Sequence, residues 1–148
     1  VVRKHYDYAF EEEKYRRAPD IRLHEIDVAR PLEIAGERIV PVSGHHSERF
    51  EVTGYRIGRM AYLTDFKTIA DAEVGKLIGV ELLVVNALRF RPHPSHFNVG
   101  EALALIARVA PRRALITHVS HEIGRHAATT ALLPRGVELA YDGLEIII

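Results

Sequence analysis

The sequence predicts an α/β fold, of the α+β kind, in which strands and short helices alternate within one domain. Three observations predict it. Residues 81–86 (ELLVVN) contain an unbroken apolar run, as a strand buried on both faces does. Asn98, with Glu101 three residues on, forms a capping box that opens a helix carrying Ala102, Leu103, Leu105, Ile106 and Val109 until Pro111 ends it. Residues 50–57 and 59–64 read as a hairpin turning near Gly58.

The remaining elements follow in order. Residues 6–17 (YDYAFEEEKYRR) make a polar helical stretch that Ala18-Pro19 stops. Residues 21–27 (IRLHEID) alternate apolar and polar, as a half-buried strand should. After a linker around Pro31, residues 37–42 form a strand leading into Ser43-Gly44-His45-His46. Past the central hairpin lie Asp65, at the strand end AYLTD, and a short helix over residues 71–78. Residues 114–117 (ALIT) are a second short buried strand. A helix over 124–133 and a hairpin of VELAY and LEIII around Asp142-Gly143 close the chain. No repeat, low-complexity segment or domain boundary interrupts it, so residues 1–148 read as one domain.

Composition narrows the function classes. At 148 residues and 47% hydrophobic, the chain can bury a core. Twenty basic residues balance twenty acidic ones, so no long-range field gathers nucleic acid or an anionic membrane, and nucleic acid is not favoured as a partner. With no cysteine, any metal falls to histidine, carboxylate and water. No apolar run nears the roughly 20 residues that span a bilayer, and no charged-then-apolar leader opens the chain, so a cytoplasmic protein is expected. The first residue is Val1, not methionine, and we expect the sequence to begin inside a longer gene product.

Residues 89–121 concentrate the chemistry. His93 and His96 precede the capped helix, and His118 and His121 follow the strand after it, two His-x-x-His pairs where strand ends meet loops. His5, His24 and His126 are isolated and read as surface or satisfied core residues. His45 and His46 lie in a glycine-containing turn after a strand. A strand-end aspartate such as Asp65 is, alone, more often a turn residue than a ligand. In company with His45 or His46, and with His118, at other strand ends it becomes a candidate for Zn²⁺, Mn²⁺ or Fe²⁺, which accept imidazole and carboxylate together.

The stretches GHHSERFEVTGYRIGRMAYLTD, VVNALRFRPHPSHFNVGEALALI, PRRALITHVSH and GVELAYDGLEI, which cover most of the chain from about Ile39 onward, resemble the metallo-β-lactamase-fold hydrolases. The likeness is to the phosphodiesterase subgroup that includes phosphoribosyl cyclic phosphate phosphodiesterase. The resemblance implies an αββα sandwich and a hydrolase with two divalent metal ions, zinc or manganese. His46 would bind one metal, Asp65 would bridge both and His118 would bind the other, with His45 the competing assignment for His46. Two such cations, about 3.5–4 Å apart, promote in-line displacement at phosphorus. His96 would contact the phosphate or protonate the leaving group, since an imidazole of pKa about 6.5 gives up a proton near neutrality. His93, Arg89 and His121 would contact substrate or support the ligands, and Arg91 would help Arg89 hold a phosphate. The expected substrate is a small, cyclic phosphodiester.

The sequence also departs from that family. Its members carry a His-x-His-x-Asp-His signature in the amino-terminal half, and this chain contains no such string. The expectation is a partial domain, the carboxy-terminal portion of the sandwich. The three remaining ligands leave no metal more than two protein donors, so the chain alone should bind metal weakly and be inactive. Three readings remain: a carboxy-terminal piece of an active phosphodiesterase, a shortened non-catalytic module that pairs with another chain, or a mononuclear enzyme. A homodimer, or association with the missing amino-terminal half, is expected in either of the first two.

Overall fold

Hydrogen-bonded pairing turns the first part of the chain into an antiparallel meander and the second into parallel crossovers, and the two share one sheet. The structure is a computed structural model and describes residues 2–10, 19 and 21–148. Its strands are β1 (Leu32–Ile34), β2 (Glu37–Ser47), β3 (Phe50–Ile57), β4 (Met60–Leu63), β5 (Leu82–Asn86), β6 (Arg113–Thr117) and β7 (Val137–Leu139). They lie in sequence order across the sheet. β1 to β4 pair antiparallel, and β4 to β7 pair parallel. The helices are α1 (Val2–His5), α2 (Asp71–Gly75), α3 (Val99–Val109) and α4 (His126–Thr130). No helix among the described residues is long and apolar enough to cross a membrane.

The turns follow from residues that tolerate positive φ. Ala35 and Gly36, at φ 53° and 83°, join β1 to β2, and Gly58 at φ 54° begins the two-residue turn between β3 and β4. β2 pairs with β3 in a continuous ladder that slips by one residue between His45 and Ser47, a bulge centred on His46.

One face of the sheet carries the main core. Val42, Leu63, Leu83, Val85, Ile116 and Leu139 pack with Ala102, Leu105, Ile106 and Val109 of α3 and with Val74 and Leu77 around α2. Phe66, fully buried, fits against two glycines. A Cβ on Gly44 would lie 2.2 Å from its ring, and one on Gly54 would lie 2.4 Å from Leu63 and 3.3 Å from Phe66. The capping box at Asn98 forms as expected: its side chain accepts from the Glu101 N–H, and the Glu101 carboxylate accepts from the Asn98 N–H. Ala110, in the left-handed region, ends α3 just before Pro111.

The opposite face is only partly covered. Leu82, Val84 and Leu115 are buried there beneath Met60, Ala140, Leu144 and Ile146. Because Leu83 and Val85 face the main core, β5 is buried on both sides, as its apolar run requires. Farther along that face, Ile39, Tyr55, Ile57 and Tyr62 line an open apolar groove of about 460 Å³.

Several expectations need correction. Residues 21–27 form no strand; among the described residues β1, at the sheet's edge, pairs with β2 alone, and the alternating stretch lies largely exposed outside the sheet. The closing hairpin is absent. β7 pairs parallel with β6, and after the turn at Asp142-Gly143 the chain lays Leu144 and Ile146 on the sheet face, where burial replaces a second ladder. The helix expected over 71–78 stops at Gly75, and that over 124–133 shortens to α4 after a 3-10 turn, His121–Ile123. Of the helix expected over residues 6–17, a 3-10 turn at Asp7–Ala9 is seen after α1, and residues 11–17 lie outside the described residues.

Candidate metal centre

The parallel strands β4, β5 and β6 end at one edge of the sheet, the edge where α/β proteins gather ligands. Asp65 follows β4 with φ 63°, and His118 follows β6 with φ 56°. Both are non-glycine residues in the left-handed region, a strained conformation that clusters at functional sites. Asp65 is held from behind by Asn86 at the end of β5. The fully buried Asn86 amide accepts from the Phe66 N–H at 2.8 Å and donates to the Phe66 carbonyl at 2.9 Å. The bulge in β2 turns His46 toward this edge, where its Nδ1–H donates to the Asp65 carbonyl at 2.9 Å. A carbonyl can only accept, so the hydrogen sits on Nδ1 and Nε2 is left with the lone pair a metal requires.

His96 enters from the loop before α3. Its Nε2 lies 3.1 Å from Asp65 Oδ1. His118 Nε2 lies 3.1 Å from His96 Nε2 and 3.3 Å from Asp65 Oδ1. His46 closes the group edge-on to His96, with ring centroids 4.5 Å apart, and the ligand atoms of His46, Asp65 and His96 all lie within 4.8 Å of one another. The side chain of His96 is 12% exposed, against 39% for Asp65 and 40% for His118, so the cluster opens to solvent on the aspartate side. Burial holds the His96 imidazole below its ordinary pKa; the Asp65 hydrogen bond opposes this, the charges of His46 and His118 add to it, and the Asp65 charge opposes it.

These distances fit a metal. Ligand bonds of about 2.0–2.1 Å in tetrahedral coordination put neighbouring donor atoms about 3.3 Å apart. Asp65 Oδ1 and His118 Nε2, 3.3 Å apart, have that separation, and His96 Nε2 stands 3.1 Å from each.

The structure therefore brings together His46, Asp65, His96 and His118. His93 lies behind His96, with their Nδ1 atoms 3.2 Å apart. His45, the competing assignment, is exposed; its backbone pairs with Thr68, and it borders a separate groove with Ser47, Glu48, Lys67 and Pro94. Arg89 is engaged elsewhere, bonding Glu122 at 2.6 Å and the Pro92 carbonyl at 3.1 Å. Arg91 binds the second oxygen of Glu122, and first Arg91, then Arg89, hold that carboxyl below its usual range. His121 is exposed in its 3-10 turn. Sequence reasoning missed Asn86 and Ser95. Asn86 ends an apolar strand with a polar side chain, a signal that was available; Ser95 lies between the two histidines of HPSH.

The sequence profile described as the beta-lactamase superfamily domain matches residues 1–119. The chain belongs to the beta-lactamase superfamily. Its fold is that of the metallo-β-lactamases, and a diphosphatase from the PhnP family matches it structurally with a TM-score of 0.88 and 32% identity, over 100% of this chain and 54% of that one. A Porphyromonas gingivalis protein named octanoyltransferase is 34% identical over 148 residues, 99% of this chain but 30% of its own length. The human tRNase Z, short form, at 16% identity and TM-score 0.59, shares the fold, over 76% of this chain and 44% of its own. The chain thus spans about half the length of these two solved structures, and less of the curated relative.

Proposed function

We propose that this chain is the carboxy-terminal portion of a metal-dependent phosphodiester hydrolase acting on a small, cyclic phosphodiester. The observation that carries the reading is the convergence of His96 and His118 on the Asp65 carboxylate, with His46 held on the backbone carbonyl of the same residue. The likeness to a PhnP-family diphosphatase supports phosphoryl chemistry, and the zero formal net charge favours a small substrate over nucleic acid. The name octanoyltransferase belongs to a protein of which this chain matches 30%, and lends no acyl chemistry to the site.

His46, Asp65 and His118 would hold two divalent ions, zinc or manganese, with Asp65 shared between them. Bound there, the ions would polarise the phosphoryl group and promote its attack by water. The residues supply the rest. The Asp65 carbonyl keeps the lone pair of His46 Nε2 directed at the site. His96 Nε2 gives a proton to the ester oxygen as the P–O bond breaks, and water supplies the new P–O bond and restores that proton. The apolar groove of β2, β3 and β4 supports association with an amino-terminal half or a second copy, and the expected setting is cytoplasmic.

A second reading, a non-catalytic module, is favoured by one feature: the chain carries no His-x-His-x-Asp-His string to complete either metal's ligands. Metal content by plasma mass spectrometry, on chain of verified intact mass, separates the two when measured with and without the coding sequence upstream. We expect little metal in the 148-residue chain, and about two ions with hydrolysis of an aryl phosphodiester in the extended protein. An extended protein that binds metal without hydrolysing any phosphodiester would overturn the catalytic reading.

A further inference from the structure

We infer that Glu122 is a positioning residue: gripped by Arg89 and Arg91, it fixes the loop that carries His96 against the turn that carries His118. The loop, residues 90–96, has pinned ends, because the Leu88 N–H bonds the Phe97 carbonyl and the Val99 N–H bonds the Arg89 carbonyl. Between those ends, among the described residues, no backbone group of the loop bonds another backbone group. Pro92 and Pro94 lack the N–H to do so. Ser95 bonds within the loop, its N–H 3.3 Å from His93 Nδ1 and its hydroxyl 3.1 Å from His96 Nδ1. Such contacts shape the loop without tying it to the sheet. That task falls to Arg89, whose Nη2–H donates to the Pro92 carbonyl at 3.1 Å, and to Arg91.

Both guanidinium groups meet one carboxylate. Glu122 Oε1 accepts from Arg89 Nη1 at 2.6 Å, and Oε2 accepts from Arg91 Nη2. Each oxygen has its own partner, so the carboxylate sets direction as well as distance. Glu122 itself stands on a fixed turn, four residues after His118. The Ser120 N–H bonds the Leu88 carbonyl at 2.9 Å, and the Ser120 hydroxyl accepts from the Glu122 N–H at 3.2 Å. Buried Ile123 offers its carbonyl to the buried Thr129 hydroxyl at 2.7 Å.

Exposed ion pairs add little stability, and the Arg91 side chain is 78% exposed. Arg89 is placed at a cost, since its buried Nε has no hydrogen-bond partner among the described residues. The cluster therefore does less for stability than for placement. Without it, the backbone of residues 90–96 is held at its ends and through the site alone, where His96 Nε2 stands 3.1 Å from His118 Nε2. A displacement of about 1 Å at a reacting group can cost about 10²-fold in rate. That kinetic use rests on the proposed hydrolase; the hold on the loop does not.

Nitrogen-15 relaxation of the full chain in chelator tests the hold through the amides of Phe90, Arg91, His93, Ser95 and His96. We expect order parameters near the rigid value of about 0.85 in the unaltered chain and below about 0.6 in Glu122→Ala, with β5 and α3 unchanged. Arg91→Ala, at an exposed residue that folding does not need, should loosen the same amides, and Glu122→Gln, which keeps one acceptor, should fall between. In the extended protein, Glu122→Ala should lower kcat about tenfold with KM little changed, and Glu122→Gln should recover part of the loss. A loop as rigid in Glu122→Ala and Arg91→Ala as in the unaltered chain, or one already mobile there, overturns the inference. So does a loosened loop with kcat unchanged. A loop that loosens in an extended protein without hydrolase activity leaves the inference standing and sinks the hydrolase reading instead.

Discussion

Asp65 and His118 hold left-handed backbone at φ 63° and 56°, and the strands they follow bring Asp65 Oδ1 within 3.3 Å of His118 Nε2. Each conformation costs an ordinary residue about 1–2 kcal/mol, because Cβ crowds the neighbouring carbonyl. The sheet therefore stores strain at two of the positions where the candidate centre needs side chains. Glycine has no Cβ to crowd. At both positions the glycine variant should be more stable than the alanine variant by about 1 kcal/mol, the reverse of the usual order. Urea denaturation in chelator checks this, and an alanine variant as stable as the glycine variant would show that no strain is stored.

Asn86 fixes the turn that presents Asp65. Both of its amide bonds go to the Phe66 backbone in a fully buried setting. The Phe66 carbonyl keeps the Phe97 N–H when Asn86 is removed, but the Phe66 N–H is left without that partner. An orphaned buried donor costs about 1–3 kcal/mol, and the lost volume adds to it. Asn86→Ala should accordingly destabilise by about 2–4 kcal/mol and weaken zinc binding as well, because Asp65 adjoins Phe66. A variant with unaltered zinc affinity would separate Asn86 from the site.

Much of this was legible in the sequence, for identifiable reasons. The β5 strand declared itself because burial on both faces demands consecutive apolar residues, and α3 because Asn98 and Glu101 satisfy its first N–H groups reciprocally. The convergence of His46, Asp65 and His118 was suggested by their places at strand ends and given definite roles only through a family likeness, since Asp65 and His118, 53 positions apart, carry no local sign of contact. What failed was pairing. Alternation in residues 21–27 and in LEIII reports which residues seek burial, and it says nothing about whether an open strand edge is within reach. Leu144 and Ile146 found their burial on the face of the sheet instead.

Glu122 ties the loop bearing Arg89 and Arg91 to the turn bearing His121. Its folded-state pKa is lowered, chiefly by Arg91 and then Arg89, so near its titration the native state binds fewer protons than the unfolded one. The bridge therefore contributes stability above the unfolded carboxylate value of about 4.3, and that contribution is lost as pH falls through the lower folded value. Glu122→Gln should flatten this limb of the stability curve, with wild type and variant converging in acid. Thermal unfolding across the acid range reads it; parallel curves would mean that the bridge adds nothing.

His45 and His46 test whether the bulge in β2 aims a side chain. A regular strand would send the two imidazoles to opposite faces with either one available to the site, and the register slip between His45 and Ser47 selects His46. The selected ring is anchored through Nδ1 on the Asp65 carbonyl, whereas His45 is exposed over a different groove. His46→Ala should lower zinc affinity at least about tenfold, and His45→Ala should leave it within about twofold. Competition against a chromogenic chelator measures both. Equal losses would mean that the ladder slips between registers in solution, and that the site is defined by the pair instead of by one histidine.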